Sequence, residues 1–147
     1  MLILGIDPGK SGGLCVLENR RIILLMTMPE DLHQLPRAVD KIYLEKAQAM
    51  PKQGIASAFS YAQHYGELIG FYNALQKPIC LVSPRNWTKK IHMGADSTKE
   101  PKQKSKEIAF RLSPGESFLA TERSKKPHEG LIDAYLIAYY GSMCEGL

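Results

Sequence analysis

Nothing in this sequence approaches the roughly 20 consecutive apolar residues that a membrane helix needs. No basic segment followed by an apolar run and a cleavage site opens the chain either, so the expectation is a soluble protein of the cytoplasm, without membrane contact. Cysteine is scarce. Cys15, Cys80 and Cys144 are odd in number and far apart, which fits neither a disulfide framework nor a zinc ribbon and predicts reduced core thiols. Internal repeats and low-complexity linkers are missing, and with 147 residues the chain reads as one domain, 1–147, large enough to bury a core. The motif G-x-G-x-x-G is absent too, which removes the dinucleotide fingerprint.

Charge is present but unevenly placed. Of 19 Lys and Arg against 15 Asp and Glu, residues 85–126 hold eleven of the bases and only five of the acids. A solvated lysine-rich loop would account for this, and so would one basic surface facing a polyanion. On the second reading Lys89, Lys90, Lys102, Lys104 and Lys106 are the candidate DNA contacts.

Hydrophobic patterning predicts strands at 1–7, 13–18 and 21–28, with Glu18-Asn19-Arg20 as a hairpin turn, then strands at 41–46 and 78–84. A short helix is expected from Pro29 to about Val39 and a long one near 57–76. In the long helix Ala58, Tyr61, Ala62, Tyr65, Leu68, Ile69, Tyr72 and Leu75 keep the spacing of one apolar face. A polar loop containing Trp87, a helix at 102–112, a mobile hydrophilic stretch to Pro127 and a helix at 129–141 complete the order. The fold class is therefore α/β: a mixed sheet of about five strands, the first three antiparallel, flanked by helices.

Three acids stand where apolar residues are expected. "GIDPGKSGG", residues 5–13, ends a buried-strand pattern in Asp7, and an ionised carboxylate out of water is costly unless paired. The glycines after it resemble the phosphate loop of the two-lobed sugar kinase and actin superfamily, but 147 residues are too few for two lobes and the next segment reads as strand. No nucleotide cofactor is expected. Glu45 lies at a strand end on the face opposite Ile42 and Leu44, where a solvated surface Glu is the plain alternative. Asp133 sits inside the last helix between Ile132 and Ala134, four residues after Glu129 and so on one face with it. His128 precedes them as ligand, proton shuttle or simple helix-start residue. Clustered carboxylates repel unless a cation neutralises them, and oxygen-only ligands favour Mg²⁺ or Mn²⁺. Two such ions ~4 Å apart activate water and stabilise the leaving oxygen in phosphodiester cleavage, which with the basic region points to nucleic acid.

These residues resemble a known family. "GIDPGKSGG" is similar to the first strand of RuvC-type Holliday junction resolvases, nucleases with a ribonuclease H-like fold. "YLEKAQAMPKQGIASAFSYAQHYGELIGF", "SPRNWTKK" with "KQKSKEIAFRLSP", and "KPHEGLIDAYLIAYYG" resemble later segments of phage and prophage members in the same order. The resemblance implies catalytic, metal-binding roles for Asp7, Glu45 and Asp133, with Glu129 as the fourth ligand and His128 as its rival. One of Lys102, Lys104 and Lys106 would match the family's basic residue near the scissile phosphate. It also implies two Mg²⁺ ions, a homodimer with Gly66 and Gly70 at its interface, and branched DNA as substrate. Phe59, off the apolar face, is then the better candidate for stacking on junction bases, while Tyr61 and Tyr65 fit helix packing equally well and Trp87 reads as substrate lid or core plug. Two rival expectations remain: a ribonuclease H-like nuclease acting on other branched DNA or RNA-DNA hybrids, and a junction-binding subunit without catalysis.

Overall fold

Alternating apolar residues dictate a sheet covered on both faces, and the computed structural model, which describes residues 1–147, has that form. Its strands are β1 (Leu2–Asp7), β2 (Gly13–Glu18), β3 (Arg21–Thr27), β4 (Lys41–Glu45) and β5 (Ile79–Val82). They lie in the order β3-β2-β1-β4-β5. The pairs β1·β2 and β2·β3 are antiparallel, whereas β1·β4 and β4·β5 are parallel. Asn19 and Arg20 both take positive φ at the β2–β3 turn, the two-residue geometry whose twist suits a hairpin.

The helices are α1 (Ile55–Ala74), α2 (Pro84–Ile91), α3 (Pro101–Leu112) and α4 (Glu129–Cys144). Leu68 and Tyr72 of α1 cover one face of the sheet, burying Leu4, Ile6, Leu14, Val16, Ile42 and Leu44. The other face carries α4 with α2 and α3 beside it, and joins Ile3, Cys15, Leu17 and Tyr43 to Trp87, Ile108 and Tyr135. Successive strand residues point to opposite faces, so Asp7 and Glu45 fall on the α4 side with Ile3 and Tyr43.

Several expectations change. The helix expected over 29–39 shrinks to a 3-10 turn at Leu32–Gln34, because Pro36 cannot continue a helix and holds Leu35 extended. Trp87 lies in a helix, α2, not a loop: Ser83 caps it by accepting from the Asn86 N–H, and Pro84 occupies its first turn. Within the stretch expected to be mobile, Phe118 is fully buried between Phe110 and Tyr135. All three cysteines are free, but only Cys15 is a core thiol; Cys80 is half-buried and Cys144 exposed. Ala62, placed on the apolar face of α1 by its spacing, is exposed. No helix is long and apolar enough to cross a membrane.

Candidate functional site

The parallel register pairs Gly5 with Tyr43 and Ile6 with Leu44, so Asp7 and Glu45 follow at the carboxyl ends of neighbouring strands. What brings Asp133 to them is a row of small residues on α4. Gly130, Ala134, Ala138 and Gly141 face the sheet at helical spacing, and α4 lies so close that a Cβ at Gly5 would collide with the Ala134 carbonyl and the Ala138 amide. At the helix start, a Cβ on Gly13 would stand 2.7 Å from the Gly130 oxygen, and one on Gly130 would meet Ser11 and Gly12. The glycine turn after Asp7 thus serves as a seat for the N-terminus of α4. Gly130 is the residue that makes this docking possible.

Electrostatics show that the acids feel one another. Burial, then repulsion from Asp133, Glu45 and Glu129, pushes the Asp7 carboxyl up to about 8. Burial and repulsion from Glu45 and Glu129 push Asp133 up to about 7, with Lys102 pulling weakly the other way. Burial also raises Glu45, partly offset by a hydrogen bond from the Trp87 indole, Nε1 to Oε2, at 2.6 Å. Glu129 is exposed at the mouth, where Lys102 Nζ meets its Oε2 at 2.6 Å. His128 caps α4, its Nδ1 accepting from the Leu131 amide at 3.3 Å, which answers to the simple helix-start reading.

Of the lysines, Lys102 is the one placed at the acids. Lys89 and Lys90 instead flank a cavity of about 450 Å³ beside Tyr140, Met143 and Cys144, seven or more residues along α4 from Asp133. Lys104 is half-buried and adds to the burial that lowers the pKa of His92, while Lys106 is exposed on α3. Phe59 is 71% exposed, clear of the α1 packing face. Tyr61 is drawn into the site: a Cβ at Gly9 would touch its ring at 3.1 Å, and burial with the fields of Asp7 and Glu45 pushes its hydroxyl up to about 12. Its ring lines a polar cavity of about 780 Å³ with Lys10, Ser57, Gln63 and His64, which none of Asp7, Glu45, Glu129 and Asp133 lines.

The donor set suits a hard divalent cation, because it is all oxygen and its buried members hold carboxyls that no protein hydrogen bond offsets at Asp7 or Asp133. It is not a closed cage: no three His, Cys, Asp or Glu side chains converge tightly enough to hold an ion as they stand. Two contacts were beyond sequence reasoning. Trp87 and Glu45 are 42 residues apart and Lys102 and Glu129 are 27 apart, so periodicity carries no trace of either; only the Ser-Pro start of α2 hinted that Trp87 sits on a helix.

No protein-family model matches the chain, and no curated protein matches it in sequence. In three dimensions it is similar to RuvC of T. thermophilus in complex with a Holliday junction substrate, with a TM-score of 0.67 at 15% identity over 99% of this chain and 96% of that one. A second structure of Thermus thermophilus RuvC superposes with a TM-score of 0.63 at 16% identity, covering 99% and 97%. The chain therefore has the RuvC-type, ribonuclease H-like fold over nearly its whole length.

Proposed function

We propose that this protein is a metal-dependent endonuclease that resolves four-way DNA junctions. The observation that carries the reading is the meeting of Asp7, Glu45 and Asp133, from two parallel strand ends and one helix, with Lys102 beside them. In this reading Asp7, Glu45, Asp133 and Glu129 hold Mg²⁺ or Mn²⁺, with two ions per site. Bound there, the cations supply a Lewis acid for the phosphate and an activated water. Asp7, whose carboxyl feels the other three acids, would be a ligand common to the group. Lys102 leaves Glu129 to take a phosphate oxygen near the cut, and the basic residues of α2 and α3 hold the flanking backbone. The similarity to a RuvC bound to a Holliday junction supports branched DNA as the substrate.

Two nicks of matching polarity across a junction require two sites related by a two-fold axis, so the working unit proposed is a homodimer. Its support is on α1, where Ile55 and Phe59 are exposed and a Cβ on Gly66 or Gly70 would touch nothing within 4 Å of its own chain. The open arrangement of the acids favours one second reading, a junction-binding subunit without catalysis.

A panel of labelled four-way junction, flap, fork, RNA-DNA hybrid and simple duplex, each with and without Mg²⁺, tests the proposal. Symmetric nicks in the junction that require the cation support it. Equal cutting of simple duplex contradicts junction selectivity, and binding without cleavage in both Mg²⁺ and Mn²⁺ favours the second reading.

A further inference from the structure

Trp87 is 3% exposed, and its one polar atom has one partner. The indole N–H can only donate, so the 2.6 Å bond to Glu45 occupies Oε2 and leaves Oε1 as the oxygen free to turn elsewhere. The ring itself is held. It lies in the core against α4, the His92 ring meets it edge-on at 6.4 Å, and His92 Nε2 is 2.9 Å from Ser105 Oγ of α3. Glu45 is thereby tied through α2 to the helix that carries Lys102.

We propose that Trp87 is a positioning residue of the acidic site, fixing the orientation of Glu45 so that one chosen carboxylate oxygen faces Asp7 and a bound cation. A glutamate on a strand end keeps three rotatable bonds before its oxygens, and a rigid buried donor removes that freedom before the ion arrives. Outer hydrogen bonds of this kind orient metal ligands, and their loss costs roughly 10–100-fold in affinity or activity. This inference rests on the metal-dependent reading given above. It goes beyond that reading by assigning a role to a residue that touches neither ion nor DNA.

Trp87 is the single tryptophan of the chain, so its atoms can be edited without touching another position. Protein made with β-(3-benzothienyl)alanine in place of tryptophan keeps the ring shape but carries sulfur where the N–H was. Mn²⁺ binding is then followed by the loss of the free-ion electron paramagnetic resonance signal. The expected result is an unchanged melting transition with Mn²⁺ held about tenfold more weakly or worse. Equal Mn²⁺ affinity in the substituted and ordinary proteins overturns the role of Trp87 alone, whereas no Mn²⁺ binding by the ordinary protein overturns the metal reading and this role with it. A measurement on the metal-free, ordinary tryptophan protein guards against misfolding of the analogue: the indole N–H resonance should move upfield in Glu45→Ala, and an unmoved resonance overturns the inference.

Discussion

Burial and three acidic neighbours hold Asp7 near 8, so at neutral pH the metal-free fold retains a proton that the unfolded chain, with its ordinary value of 3.8, has released. A folded value raised in this way gives stability that is complete below about pH 4 and is lost as pH climbs toward 8. Asp133, raised to about 7, adds to the loss over the same window. The exposed acids Asp96 and Glu107 and the half-buried Glu145 are shifted the other way, toward lower values, and their contribution disappears only under stronger acid. Melting temperature in a chelator should therefore fall from pH 5 to pH 8, and Asp7→Asn should flatten much of that slope. Added Mg²⁺ should raise melting more at pH 8 than at pH 5, and a level profile in every case would count against a shared acidic site. Asp7 and Asp133 were legible in the sequence as acids among apolar neighbours. The capping role of His128 was only one of three readings there, because the choice turns on where its ring points.

At the scale of elements, the strands were the most legible part, since a two-residue period with short turns leaves few alternatives. Helices flanked by proline were harder. Pro36 ended a helix that amphipathic spacing favoured, whereas Pro84 began one where polar residues suggested a loop. The seating of α4 was not legible at all, because small residues at positions 130, 134, 138 and 141 look unremarkable until a strand glycine is found beneath them. Gly5→Ala should show what that seating contributes. Its new methyl has nowhere to go but into the backbone of α4, a form of overpacking that costs about 1–3 kcal/mol. Urea denaturation should show that loss, accompanied by weaker cleavage as Asp133 is lifted away from Asp7. Wild-type stability in Gly5→Ala would show that α4 does not rest on β1 as described.

The whole molecule sets a group of acids at one end of the sheet and a candidate pairing face on α1. Sequence reasoning reached the acids by their placement where apolar residues were expected, a resemblance then ordered them, and the fold put three of them on one side of one sheet. It could not reach the lysine assignment: three lysines two residues apart on α3 are equivalent in a string, and only packing singles out Lys102. The pairing face has its own test. Gly66→Arg fills space that is open in the monomer, so melting should be preserved while sedimentation shifts from dimer to monomer and paired nicking of a junction falls. A variant that remains dimeric, or a parent that is monomeric with junction DNA bound, would contradict α1 as the interface.

Asp7 should be indispensable for cleavage, and a labelled four-way junction incubated in Mg²⁺ with the wild-type protein and with Asp7→Asn checks this. Symmetric nicks are expected from the first and none from the second, with both retarding the junction equally in a gel. Cleavage by Asp7→Asn at near the wild-type rate would contradict it.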